Sequence, residues 1–291
     1  MTDKLSQTIV LSNGRTLAFA EYGKPDGKPV LYFHGHPSSR LDWQLFDPDD
    51  VTAQLGIRLI APDRPGHGLS HNQPRRTMLD WPDDMLELAK ALELDQFAVL
   101  GVSGGGPYAA VCAFKISTRI TRTAIVCGMG PANANGAKKG TSWIYAGKPA
   151  LMRNAMLKMM DIGLKRDPRE FQRRFLSQAS TSFSVPDAPL LEDSEFAGDF
   201  LNLTFREALR SGIAGASHDA RLYSKPWGFQ LEDIASDIHL WHGELDRQVL
   251  PSVGHHVASA IPNCQASFLS NEGHLSLPRN HLREILGTLV S

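Results

Sequence analysis

The chain has only three cysteines among its 291 residues, Cys112, Cys127 and Cys264, odd in number and far apart. That spacing excludes a disulfide framework and the paired C-x-x-C of a zinc site, so free buried thiols are expected. An excess of either charge is also missing: 30 Lys and Arg stand against 31 Asp and Glu, a formal net charge of -1. Nothing here draws in a phosphate backbone, and nucleic acid is not an expected partner. No apolar run approaches the roughly 18 residues of a membrane span. The opening MTDKLSQTIVLSNGRT holds only a short apolar stretch between polar neighbours, so the expectation is a cytoplasmic protein with no signal peptide and no membrane contact. Repeats, low-complexity tracts and charge blocks are absent as well. What is present is the composition of a globular protein, 42% hydrophobic and 21% charged. A chain near this length buries about three quarters of its unfolded surface.

Apolar, β-rich runs alternate with helical patterns over most of the length, which predicts a largely parallel sheet covered by helices. The predicted strands are Thr8 to Leu11, Thr16 to Tyr22, Val30 to Phe33, Ile57 to Ala61, Phe97 to Gly101, Thr123 to Cys127, Ile238 to His242 and Ala266 to Leu269. The first two flank Ser12-Asn13-Gly14-Arg15, a hairpin signal, and should pair antiparallel at one edge. Asp80 is placed to cap a helix with Met85, Leu88, Ala89 and Leu92 on one face. Pro251 opens another helix ending near Ile261, and His281 to Val290 forms a last one. From about Pro131 to Leu231 no strand is expected, while Trp143 to Ile162, Pro168 to Ser177 and Phe200 to Ser211 read as helices. The organisation predicted is a core of residues 1–130 and 232–291, with a helical lid, 131–231, inserted after the sixth strand.

The run QFAVLGVSGGGPYAAVCAF, Gln96 to Phe114, passes from an apolar strand through Gly101-Val102-Ser103-Gly104-Gly105 into a helix rich in small residues. This is G-x-S-x-G in its strand-turn-helix setting. Glycines suit so sharp a turn because Cβ atoms beside the serine would meet the strand and the helix. The serine hydroxyl then stands at a helix N-terminus, where free N–H groups and the helix dipole favour developing negative charge. Pro107 fits the first turn, whose N–H has no intrahelical partner to lose.

With these residues in place the sequence resembles the α/β-hydrolase family, over nearly the whole chain outside the insert. His34-Gly35-His36-Pro37 resembles the family's HGxP oxyanion loop, and Asp63-Arg64-Pro65-Gly66-His67-Gly68-Leu69-Ser70 its DxxGxGxS turn. His242-Gly243-Glu244-Leu245-Asp246-Arg247-Gln248-Val249 resembles the HGxxDxxV acid loop, and Gly273-His274 the loop that carries the base. The order Ser, Asp, His is the one expected of this fold. The resemblance implies Ser103 as nucleophile, His274 as general base and then acid, and Asp246 as the group that orients the imidazole. It implies an oxyanion hole of the backbone N–H groups of His36 and Gly104. Lipases of the family often carry HGGG where this chain has His36, whose imidazole should narrow the acyl pocket.

Each candidate has a plainer rival. Glu244 is an alternative acid two residues from Asp246, and Asp246 could instead cap the Pro251 helix; the HGxxDxxV spacing favours Asp246 as the acid. His34, His67 and His242 occupy motif positions that suggest turn hydrogen bonds. His255-His256 is not a metal pair, because neighbouring residues on a helix point about 100 degrees apart, and no metal or cofactor is expected. Met152, Met156, Met159 and Met160 form one helical stripe, which is either the buried face of the lid or a pliable apolar wall over the substrate. The run Gly104 to Gly106 lacks the G-x-G-x-x-G of a dinucleotide cradle.

The function expected is a serine hydrolase acting on a small-molecule ester, a small or medium carboxylic ester, through an acyl-enzyme. The alternatives are a lactonase or a carbon-carbon bond hydrolase on the same triad, or a receptor that keeps the scaffold and binds a ligand without turnover.

Overall fold

The computed structural model describes residues 3–47, 49–140 and 147–291, apart from the side chains of 179–181. Eight strands form one sheet: β1 Gln7–Val10, β2 Thr16–Gly23, β3 Lys28–Phe33, β4 Ile57–Pro62, β5 Phe97–Val102, β6 Ile120–Val126, β7 Ile238–Gly243 and β8 Cys264–Leu269. Their order is β1-β2-β4-β3-β5-β6-β7-β8. The pairs β1–β2 and β2–β4 are antiparallel and every later pair is parallel. All eight predicted strands are present. The hairpin between the first two closes with Leu11 N–H on the Arg15 carbonyl at 2.8 Å, and Gly14 takes φ +81 there.

Successive side chains of a strand point to opposite faces, and β3 shows how both faces are filled. Leu31 and Phe33 join Trp81, Met85, Tyr108 and Val111 on one side. Val30 and Tyr32 join Trp43, Ile285 and Leu286 on the other. Parallel strands covered on both faces read as continuous apolar runs, and β5, FAVLGV, is buried throughout. Strand order reverses between β3 and β5, and the crevice beyond the carboxyl ends of strands at such a switch point is where ligands bind in open α/β sheets. The segments His34–Pro37 and Ser103–Gly105 leave the sheet at that place.

The predicted helices on the sheet are found at Trp81–Ala91, Pro251–Ala260 and Leu282–Val290. Asp80 does not cap the first of them. Its carboxylate bonds back to Thr77, accepting from N–H at 2.6 Å and from Oγ at 2.9 Å, which caps the short 3-10 turn Met78–Asp80 that precedes the helix. Cys112 and Cys127 are free and buried, while Cys264 is free and half-buried. Among the described residues no helix is long and apolar enough to cross a membrane.

Between β6 and β7 the described residues form helices at Ala150–Arg166, Pro168–Ser182, Ala188–Glu192, Ser194–Asp199 and Ala214–Tyr223, with a π-helical turn at Phe200–Arg206. The predicted helix starting at Trp143 begins in residues outside the described ones. Leu157, Leu164, Leu191, Leu201 and Leu209 build a separate apolar cluster that closes on Leu45 and Leu275. Ala220, Tyr223, Trp227 and Ile234 pack instead with the sheet.

The methionine stripe is corrected by the structure. The helix Ala150–Arg166 buries Arg153, Leu157, Met160, Asp161 and Leu164. Met152 and Met159 are 52% and 72% exposed, Met156 is half-buried, and only Met160 faces inward. One residue is 100 degrees of helix rotation, and the buried face lies about that far from the methionine stripe, with two polar residues, Arg153 and Asp161, on it. The apolar letters alone therefore pointed to the wrong face.

Candidate active site

Ser103 follows β5 directly and takes φ +53, a left-handed conformation that costs a serine of order 1–3 kcal/mol. The packing around the turn enforces it. A Cβ on Gly105 would stand 1.9 Å from the Phe33 carbonyl oxygen, and one on Gly101 would stand 2.4 Å from the Gly105 oxygen. Strand, turn and helix therefore approach more closely than any residue with a side chain permits.

Asp246 and His274 come together from the ends of β7 and β8. The Asp246 Oδ2 accepts from His274 Nδ1 at 2.7 Å, while Oδ1 accepts the N–H groups of Gln248 at 2.8 Å and Val249 at 3.0 Å. Its carboxylate thus serves the loop and the imidazole, and not the N-terminus of the Pro251–Ala260 helix. Glu244 points elsewhere, to His255 at 3.4 Å. Burial pulls the His274 pKa down, but the charge and hydrogen bond of Asp246, with the charge of Asp187 behind them, more than offset it. The imidazole consequently ends above its ordinary 6.5. Holding Nδ1 by a carboxylate leaves Nε2 as the proton acceptor.

Ser103 and His274 line one cavity of about 120 Å³, walled by Phe46, Phe183, Phe200, Phe205 and Leu275. None of Met152, Met156, Met159 and Met160 lines it. Aromatic walls with a few convergent polar groups are the usual make-up of a small-molecule site. Gly104 and His36 are neighbours here, since a Cβ on Gly104 would lie 3.1 Å from the His36 nitrogen.

The loop that carries His36 is held by a buried ionic network. Arg64 Nη1 bonds the His34 carbonyl, and its Nη2 bonds that of Gly35 at 2.6 Å. Its Nε meets Asp219 Oδ2 at 2.7 Å. Asp219 also accepts from Tyr108 Oη at 2.7 Å and from Arg76. Burial opposes the Asp219 charge, but Arg76 and Arg64 hold its carboxyl well below the usual range. The His36 imidazole, predicted to narrow the acyl pocket, turns to Asp219, 3.9 Å away, and meets Tyr223 edge-on at 5.2 Å between ring centroids. Burial drives its pKa down to about 4.

The other motif histidines divide. His34 Nδ1 meets the Gly35 oxygen at 3.0 Å and His242 Nε2 the Val249 oxygen at 2.9 Å, turn bonds of the expected kind. His67 makes no such bond; its Nε2 lies 3.6 Å from Asp219, and burial pushes its pKa to about 3. Among the described residues, two clusters bring possible metal ligands within 4.8 Å, His36, His67 and Asp219, and Cys127, Asp246 and His274. Neither suits a cation: two guanidinium groups already occupy Asp219, and the Asp246 oxygens are taken by His274 and backbone N–H groups. Sequence reasoning missed Asp219, Tyr223 and Asp187 entirely. Arg64 stood in the DxxGxGxS motif, whose buried arginine was the one available signal.

Comparison with known proteins identifies the family and the fold. The model described as "Alpha/beta hydrolase family" matches residues 30–284. A non-heme chloroperoxidase from Streptomyces lividans is 34% identical over 130 residues, 43% of this chain and 45% of that protein; the chain thus spans less than half of that relative's length. A proline iminopeptidase from Clostridium botulinum is 25% identical over 254 residues, 85% of this chain and 84% of that one. Among solved structures, an esterase from Rhodococcus sp. ECU1013 shares the fold with a TM-score of 0.68 and 22% identity, over 97% of this chain and 96% of its own.

Proposed function

Because the chain belongs to the alpha/beta hydrolase family, we propose that it cleaves a small or medium carboxylic ester through an acyl-enzyme, with Ser103 as nucleophile, His274 as base and Asp246 as its orienting acid. The observation that carries this reading is the 2.7 Å bond from His274 Nδ1 to Asp246, made beside a cavity that His274 shares with a strained, glycine-flanked Ser103. Ser103 Oγ attacks the ester carbonyl as its proton passes to His274 Nε2. The oxyanion formed is met by the N–H groups of His36 and Gly104, each such donor being worth roughly 10² to 10³ in turnover. Collapse expels the alcohol, which takes the proton from His274. Water then attacks the acyl-enzyme by the same route in reverse roles.

The phenylalanine walls favour an apolar acyl group, and the cavity volume favours a short or medium one. Relatives named as esterase, chloroperoxidase and iminopeptidase share the scaffold, so the substrate class is decided by turnover. Hydrolysis of nitrophenyl esters from acetate to decanoate, beside a lactone, an anilide and a proline amide, is the direct test. The proposal expects the ester arm to exceed the others by at least about tenfold, with a maximum at short or medium chains. A larger rate on the lactone or the amide would overturn the ester assignment.

A further inference from the structure

We infer that Asp187, a residue of the insert, is a positioning residue for the base: its enclosed carboxylate gathers the backbone N–H groups of the His274 loop and fixes where the imidazole stands. The inference rests on the reading of His274 as base. Asp187 is 0% exposed. Its Oδ2 accepts from His274 N–H at 3.1 Å and from Ser184 Oγ at 2.7 Å, and its Oδ1 accepts from the N–H groups of Leu275 at 2.8 Å and Ser276 at 3.0 Å. Ser184 N–H adds a longer contact at 3.4 Å. Taking a carboxylate out of water costs several kcal/mol, and charge-assisted bonds from this many donors are what offsets it.

The catalytic loop is shaped to receive this group. A Cβ on Gly273 would stand 2.1 Å from Ser184 Oγ and 2.5 Å from each Asp187 oxygen, so the residue before the base must be glycine for the carboxylate to seat. Two carboxylates then grip the same residue from two sides. Asp246 holds the ring at Nδ1, and Asp187 holds the main chain at N. Asp187 belongs to the 3-10 turn Val185–Asp187, between the helices Pro168–Ser182 and Ala188–Glu192 of the insert. The insert is therefore tied to the base at this turn, and withdrawing it here would leave three buried N–H groups without acceptors.

The charged and titratable groups around the imidazole are few. Asp246 lies at 2.7 Å from Nδ1, and His242 lies 3.6 Å from Asp246. Cys127 has its thiol pushed up by burial and stays neutral, and Asp187 lies behind the main chain. Removing the Asp187 charge takes away one of the influences that favour the imidazolium, so the acid limb of activity should move to lower pH.

The test compares Asp187→Asn, Gly273→Ala and Ser184→Ala with the wild type on one nitrophenyl ester. kcat is counted per active site titrated with a fluorophosphonate, so that unfolded molecules do not enter. Asn leaves one oxygen where there were two and sets an NH₂ group against N–H donors. The expected result is a kcat roughly ten- to a hundredfold lower, the loss typical of a reacting group displaced by about 1 Å. KM should stay within about threefold, and the acid limb should shift down. Gly273→Ala should reproduce the fall in kcat by unseating the carboxylate, and Ser184→Ala should give a smaller fall of the same kind. If Asp187→Asn does not fold, the other two variants decide. A purely structural part would lower the melting temperature and leave kcat per titrated site and the pH limb unmoved, which would overturn the inference. Wild-type protein without ester turnover or label would instead overturn the assignment of Ser103 and His274.

Discussion

Asp219 Oδ2 stands 2.7 Å from Arg64 Nε with both side chains 0% exposed, and the same guanidinium reaches the carbonyls of His34 and Gly35. A carboxylate near the end of the insert thereby sets the main chain that presents the His36 N–H. Asp219→Ala would leave Arg64 and Arg76 buried without their anion. Breaking a buried pair in this way destabilises by about 3–5 kcal/mol. Urea unfolding of the variant should show a loss of that size, and a loss under about 1 kcal/mol would contradict the network's role.

Ser103→Ala should lower ester turnover by at least about a thousandfold and leave the fold intact, the scale of removing a triad nucleophile. Circular dichroism should be unchanged, because the φ of +53 is set by the surrounding glycines and strands. Retention of more than about a tenth of the wild-type kcat would show that another group attacks.

The pH dependence has a definite sign. As the proposed base, His274 would act only when neutral, and its pKa is raised above 6.5 because Asp246 and Asp187 together outweigh burial. kcat/KM should therefore rise with pH through a midpoint above 6.5 and then level off. A rate flat between about pH 5 and pH 9 would exclude His274 as the base.

Acid should weaken the fold before the carboxylates titrate. Burial holds His36 down to about 4 and His67 to about 3, and His34 lies well below its usual value for the same reason. An unfolded histidine takes up a proton near 6.5 while these refuse one, so stability is full above 6.5 and is lost as pH falls toward 4. One pKa unit is about 1.4 kcal/mol, which puts the His36 and His67 contributions at a few kcal/mol each, with His34 acting in the same direction. Asp42, lifted by burial to about 6, Asp63 and Asp84, also raised by burial, and His274 work in the opposite direction, while His242, His239 and His218, lowered by burial, add to the first three. The urea midpoint should drop from pH 7.5 to pH 5, and a midpoint that rises would refute the account of the histidine cluster.

What was legible in the sequence is what local chemistry fixes. Apolar runs such as FAVLGV declare buried strands, and the glycines around Ser103 declare a turn too tight for side chains. The pairing of His274 with Asp246 rather than Glu244 followed from motif spacing. Asp187 and Asp219 were not legible, because their roles arise only where the insert folds back on loops distant in the chain. Nothing in S-V-P-D or S-H-D-A announces a buried anion. The helix Ala150–Arg166 misled for a related reason: Arg153, which bonds the Lys148 carbonyl at 3.2 Å, and Asp161, paired with Lys165 at 2.7 Å, are polar residues on its inner face.

That correction has its own consequence. Met152 and Met159 are mostly exposed and do not line the Ser103 cavity, so Met152→Lys and Met159→Lys should change stability by no more than about 0.5 kcal/mol and leave KM for short esters unaltered. A severalfold rise in KM would mean that these side chains do meet the substrate.

The most direct measurement is covalent. The intact protein is treated with a fluorophosphonate and the adduct located by peptide mass spectrometry, with His274→Ala in parallel. The account requires one label, on Ser103, formed rapidly in the wild type and at least about a hundredfold more slowly in the variant. Folded wild-type protein that stays unlabelled at Ser103, or carries its label elsewhere, would contradict it.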